Sequence, residues 1–227
     1  MSQPVQYQNG DVEFFGRMFF TDPRALIPRF ETEFLVSKTI AWCAQRNPRR
    51  AWSIIDIGTG SGVIAISLAL DLPDTSIAAI DASKSALALA RKNALKHNVM
   101  DRVHFIQGDL LAEFNGHVDI VVANLPYLPT ERISKLDASV RDFEPHQALD
   151  GGVDGLESYR QLFGQLARRS CRPSLCVFEI DDEQENGARK EVAKWLPDAR
   201  ISIVKDTSDF VRYVVLEFNK DQHGSNA

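Results

Sequence analysis

Apolar residues in this chain recur in two alternating patterns: short runs rich in β-branched residues, and longer stretches of helical periodicity. Residues 14–20, Phe-Phe-Gly-Arg-Met-Phe-Phe, alternate around a glycine and predict a short hairpin. A helix is expected over 31–45, with Phe34, Leu35, Ile40 and Trp42 on its buried side. Strands are then expected at 52–56, 76–81, 103–107, 118–123 and 175–180. Helices are expected between them at 62–70, 83–97 and 156–169, and after them at 183–195. Ser83 is placed to cap the second of these. Two last strands, 200–204 and 211–218, are close enough in sequence to pair antiparallel. Residues 1–13 read as a polar, extended or mobile segment, residues 14–219 as one domain, and residues 220–227 as a disordered tail. The stretch 126–155 shows no periodicity, and an irregular loop of that length usually carries function. This order predicts an α/β fold: a doubly wound, mostly parallel seven-stranded sheet with a C-terminal antiparallel hairpin. Its ligand belongs at the carboxyl ends of the strands, where strand order reverses.

Composition narrows the picture only a little. The 227 residues are 44% hydrophobic and 25% charged, as in a globular protein with a full core. A net charge of −5 provides no general attraction for nucleic acid. Cys43, Cys171 and Cys176 are too few and too irregularly spaced for a disulfide framework or a zinc site. No metal site is expected, and a reduced, cytoplasmic setting is the simplest reading. No apolar run is long enough to cross a bilayer.

The chemistry starts at Asp56-Ile57-Gly58-Thr59-Gly60-Ser61-Gly62, between the first strand of the alternation and its helix. Glycines there allow a tight turn and leave room for a ligand beside the backbone and the helix start. No Lys follows them, so a P-loop is excluded. The spacing Gly58-x-Gly60-x-Gly62 is shorter than a dinucleotide fingerprint requires. Asp56 would repel a pyrophosphate but attract the ammonium of an amino-acid moiety. S-adenosyl-L-methionine carries such an ammonium and no phosphate, so it is the expected cofactor. Asp81, at the end of the next strand, can accept both ribose hydroxyls, and Asp109 can accept the adenine amino group.

After the fourth core strand stands Asn124-Leu125-Pro126-Tyr127. An amide or exocyclic amine is a poor nucleophile because its lone pair is delocalised. A site that methylates one must point its hydrogens at acceptors and turn the lone pair toward the methyl group. The Asn124 side-chain oxygen and the Leu125 carbonyl can be those acceptors. Tyr127 can stack on the flat group, and Pro126 restrains Leu125 to an extended conformation. No strong base is required, because the proton can leave once the nitrogen is cationic. His146, in the irregular stretch, reads as a solvated side chain.

With these residues the chain resembles the class I, Rossmann-like methyltransferases that carry an Asn-Pro-Pro-Tyr-type motif. More narrowly, it is similar to the release-factor glutamine N5-methyltransferase family of the HemK/PrmC type. Four further stretches carry that likeness: 15–17 with 22–33; Phe143-Glu144-Pro145 with 148–156 and Tyr159-Arg160; Phe178-Glu179-Ile180; and Asp206 with Arg212. The resemblance implies methyl transfer from S-adenosylmethionine to a glutamine side-chain amide in the Gly-Gly-Gln loop of a class 1 release factor. By matching position, Asp56, Gly58, Thr59, Gly60, Ser61, Gly62, Asp81, Asp109, Leu110 and Asn124 would line the cofactor. Asn124, Leu125, Pro126 and Tyr127 would hold the glutamine amide. Ile27-Pro28-Arg29 and Glu31-Thr32 would form part of the wall. Leu125 departs from the family pattern, which has proline there. The family also usually carries an N-terminal helical domain that helps dock the release factor. This chain has only about thirty residues before its first core helix, short of a domain. Two other readings stay open: an adenine N6-methyltransferase acting on DNA or RNA, since the same geometry suits an exocyclic amine, and a cofactor-binding module without catalysis.

Overall fold

The computed structural model describes residues 3–219, so the tail expected at 220–227 lies outside the described residues. The core strands are β3 (Ser53–Ile57), β4 (Ser76–Asp81), β5 (Val103–Gln107), β6 (Ile120–Ala123) and β7 (Leu175–Glu179). They precede the C-terminal hairpin of β8 (Arg200–Lys205) and β9 (Val211–Glu217). The sheet runs β5-β4-β3-β6-β7-β9-β8, parallel except where β9 pairs with β7 and β8. Strand order reverses at β3, which pairs with β4 on one side and β6 on the other.

Successive side chains on a strand point to opposite faces, so each strand supplies two cores. Ile54, Val122 and Val177 pack against α2 (Glu33–Arg46) and α3 (Val63–Asp71). Ile55, Val121 and Phe178 pack against α7 (Glu157–Ala167) and α8 (Glu185–Trp195). The residues of α3 from Val63 to Ala69 are all buried, as its unbroken apolar sequence requires. The helix α4 (Lys84–Lys96) starts where expected, with the Ser83 hydroxyl accepting from the Ala86 N–H. In α2 the buried residues are Leu35, Val36, Thr39, Trp42 and Cys43, whereas Phe34 and Ile40 are only partly buried against the core.

Two expectations are corrected. The segment before Phe14 is extended only in part: it forms the helical turn α1 (Val5–Asn9) before the strand β1 (Asp11–Phe14), which pairs with β2 (Arg17–Phe20). Five residues without a side-chain cap carry no helical signal. The turn is held by Tyr7, which is buried and donates its hydroxyl proton to the Ala25 carbonyl at 2.7 Å. The stretch 126–155 is also not wholly irregular. It contains α5 (Thr130–Ile133), α6 (Ala138–Arg141) and a 3-10 turn at His146–Ala148. Among the described residues no helix is long and apolar enough to cross a membrane.

Candidate active site

The ends of β3, β4 and β6 stand side by side, because register pairs Ile57 with Ile80 and with Ala123. The chain leaving β3 turns through three glycines with positive φ. At Gly58 (φ 70°) a Cβ would lie 2.9 Å from Leu125 Cδ2, so the missing side chain lets the Asn124–Tyr127 segment lie against the loop. The Gly58 and Thr59 N–H groups donate to the Ile80 carbonyl at 2.8 and 3.0 Å. Asp81 ties the loop to the next helix: one carboxylate oxygen accepts from Gly60 N–H and the other from Ser83 N–H, each at 2.8 Å.

Over the strand-order reversal lies a cavity of about 530 Å³. Gly58, Thr59, Gly60, Ser61, Asp81, Asp109, Leu110, Asn124, Leu125 and Pro126 all line it. So do Pro28, Arg29 and Thr32, while Ile27 and Glu31 do not. Leu110 holds a left-handed backbone (φ 54°), a strained state for a branched side chain that clusters at functional sites. Three expected residues stand behind the wall. Gly62 abuts α4, where a Cβ would meet Ala90 Cβ at 3.0 Å. Tyr127 turns its hydroxyl inward onto Glu179 Oε1 at 3.0 Å. Asp56 is fully buried beneath the loop, where Oδ2 accepts from the Thr59 hydroxyl at 2.6 Å and from Ala65 N–H at 3.1 Å.

The electrostatics suit a cation better than a phosphate. Burial pushes the Asp56 carboxyl up to about 7, and its Oδ1 is buried with no hydrogen-bond partner. Burial also raises Asp81, against the pull of its two backbone donors. Both arginines lining the cavity are already paired, Arg24 with Asp22 at 2.6 Å and Arg29 with Glu144 at 2.5 Å. A ligand with an ammonium and ribose hydroxyls meets complementary groups here. Among the described residues no cluster of His, Cys, Asp or Glu side chains is placed to hold a metal. His146 is exposed, with Nε2 2.8 Å from the Arg141 carbonyl oxygen.

Asn124 is fixed by residues far away in sequence. Its Nδ2 donates to Thr32 Oγ1 at 2.9 Å, and the Thr32 hydroxyl donates to Glu179 Oε2 at 2.8 Å. Burial raises the Glu179 carboxyl above the ordinary range, opposed by its Thr32 and Tyr127 donors and by Arg212. Burial and the neighbouring Glu179 charge drive the Tyr127 phenol well above its usual value. The Leu125 N–H donates to the Tyr159 hydroxyl at 3.2 Å, and that hydroxyl donates to the Glu179 backbone carbonyl. No described residue donates to the Asn124 Oδ1 or to the Leu125 carbonyl.

The 126–155 stretch folds over this segment. Leu128 N–H donates to the Leu149 carbonyl at 3.0 Å, and Gly151 N–H to the Leu128 carbonyl at 2.8 Å. Glu144 then clamps the opposite wall, accepting from Ile27 N–H at 3.0 Å as well as from Arg29. Thr32, Glu144, Tyr159 and Glu179 were legible only as parts of family-like stretches. Nothing local marks their roles, since their partners are distant in sequence.

Residues 35–139 match the family model described as the methyltransferase small domain. A release factor glutamine methyltransferase of Moorella thermoacetica is 42% identical over 192 residues, covering 84% of this chain and 66% of that protein. One from Bacillus cereus is 34% identical over 217 residues, covering 94% of this chain and 76% of that protein. The chain thus spans about two thirds to three quarters of the length of these relatives. Among solved structures, the ribosomal protein L11 methylase of Lactobacillus delbrueckii subsp. bulgaricus superimposes with a TM-score of 0.58 at 20% identity. That match covers 84% of this chain and 81% of the other, and shows the shared fold. Identity of 34–42% over most of the chain to proteins of one kind places this chain in the release factor glutamine methyltransferase family.

Proposed function

We propose that the chain transfers a methyl group from S-adenosylmethionine to the side-chain amide nitrogen of a glutamine in a class 1 release factor. In this reading residues 14–219 are the methyltransferase domain. The observation that carries it is one continuous cavity joining the acidic glycine-loop corner to Asn124 and Leu125 across the strand-order reversal. The names of the relatives favour glutamine over adenine as the acceptor.

The residues have separable tasks. Asp81 and Asp109 face the cavity with acceptors for hydroxyl and amino groups. Asp56 holds the loop in shape, accepting from the Thr59 hydroxyl and from Ala65 N–H beneath it. Leu110 and Leu125 contribute apolar wall. The bound cofactor would supply an electrophilic methyl group on a sulfonium. Asn124 Oδ1 and the Leu125 carbonyl would accept the two hydrogens of the glutamine amide, leaving its lone pair free to face that methyl group. The nitrogen proton departs after transfer, so no side chain serves as general base. The free cysteines support a reduced, cytoplasmic setting.

The test is incubation of the chain with methyl-labelled S-adenosylmethionine and a purified class 1 release factor. Label is expected on the release factor, and Asn124→Ala should lower its rate of appearance by about 100-fold, the scale of a lost orienting contact. Absence of transfer by the wild type, or undiminished transfer by the variant, would contradict the proposal.

A further inference from the structure

We infer that Thr32 and Glu179 are positioning residues that decide which end of the Asn124 amide faces the acceptor nitrogen, so that the site admits an amide and refuses a carboxylate. The inference rests on the function proposed above and adds the device that makes the site selective.

Glu179 is 1% exposed at the end of β7, and its two oxygens take hydrogen bonds from Thr32 and Tyr127. A threonine hydroxyl has one proton to give. With that proton committed to Glu179, Thr32 Oγ1 can only accept from its other neighbour, so Asn124 must present its NH2 end. Turning the amide over would set two acceptors against each other in a partly buried position and leave both without a partner. The Oδ1 end is therefore left toward the cavity as a fixed acceptor, beside the unused Leu125 carbonyl. Two fixed acceptors match the two hydrogens of a glutamine amide. A glutamate carboxylate brings only acceptors and would leave all of them unpaired, the kind of mismatch that gives strong discrimination. The polarity of the subsite thus originates in a buried carboxylate that lines no part of the cavity. Thr32, although on the N-terminal side of α2, belongs to the acceptor site.

Thr32→Val keeps the shape of the side chain and removes the hydroxyl, while Thr32→Ser keeps the hydroxyl. Thr32→Val should lower kcat by about 10- to 100-fold, in line with loss of a positioning contact. Cofactor affinity by calorimetry should fall by less than kcat in Thr32→Val, since the glycine loop and Asp81 are untouched. Thr32→Ser should retain kcat within about threefold, a rescue that a purely structural role for the methyl group would not give. Independently of activity, the side-chain NH2 resonances of Asn124 in the free protein should move in Thr32→Val and stay in place in Thr32→Ser. Wild-type kcat in Thr32→Val, or Asn124 resonances that do not move, would overturn the inference. Moved resonances in a protein that methylates no glutamine would support the orientation and refute the assigned reaction, so the two failures are distinguishable.

Discussion

Leu125 sits where the family pattern has proline, and the structure shows what the substitution adds. Its N–H donates to the Tyr159 hydroxyl, a bond that proline cannot make. The Tyr159 hydroxyl in turn donates a hydrogen bond to the Glu179 backbone carbonyl, so one phenol ties the Asn124–Tyr127 segment to β7. Tyr159→Phe leaves both groups buried without that partner, and should lower stability by about 1–3 kcal/mol in urea unfolding. An unchanged midpoint would show that Tyr159 serves only as bulk. Asp56 makes a second case at this scale. Burial raises its carboxyl from the ordinary 3.8 to about 7. The folded state therefore holds this proton more tightly than the unfolded chain does. The resulting stabilisation is fully present below about pH 4 and is lost as pH rises through about 7. Asp56→Asn should flatten that part of the stability–pH curve in thermal melts, and an identical slope in variant and wild type would contradict the assignment. Asp81 and Asn124 were legible because strand alternation puts them at strand ends beside a glycine loop. Thr32, Tyr159 and Glu179 were not, because the bonds that define them join residues 92, 147 and 34 positions apart.

At the scale of elements, the decisive piece is the stretch from Pro126 to Gly155. Sequence showed it as a long unpatterned insertion and marked its importance, but not its path. That path depends on backbone contacts. A Cβ on Gly151 would lie 2.5 Å from the Gly155 carbonyl oxygen and 2.7 Å from that of Pro126. Gly151→Ala must therefore displace the backbone at Gly155, at Pro126 or at both, and so disturb the Asn124–Tyr127 segment. A fall in kcat of at least about tenfold is expected, with cofactor affinity by calorimetry largely kept, because misplacing a reacting group costs rate before it costs binding elsewhere. Equal losses in both would show instead that the whole sheet end has shifted. The regular elements were legible almost residue by residue, since β4 is a short apolar run and α4 opens on a capping serine. The turn α1 was not, because its stability comes from the Tyr7 contact with Ala25 and not from its own five residues.

At the scale of the whole molecule, a doubly wound sheet brings two separate segments to one place. In the proposed reading the loop after β3 holds the cofactor and the segment after β6 the acceptor; the two strands are neighbours in the sheet although their paired residues lie 66 positions apart along the chain. The parallel order was legible in the alternation of strands and helices, and the crossover point in the position of the glycine loop. Binding to such a corner should stabilise the whole domain. S-adenosylmethionine at about 100 times its Kd is expected to add ~2.7 kcal/mol to unfolding, read as a raised melting temperature. NAD at the same concentration should leave the melt unchanged, and a shift with NAD would contradict the reading of the acidic corner. The central claim is about the atom that receives the methyl group, and fragment-ion mass spectrometry of a class 1 release factor after incubation with the chain and S-adenosylmethionine tests it most directly. The expected result is one added methyl group, confined to the side chain of a single glutamine in the Gly-Gly-Gln loop and lost with Asn124→Ala. A methyl group on any other residue type, or an unmodified glutamine after complete cofactor turnover, would contradict it.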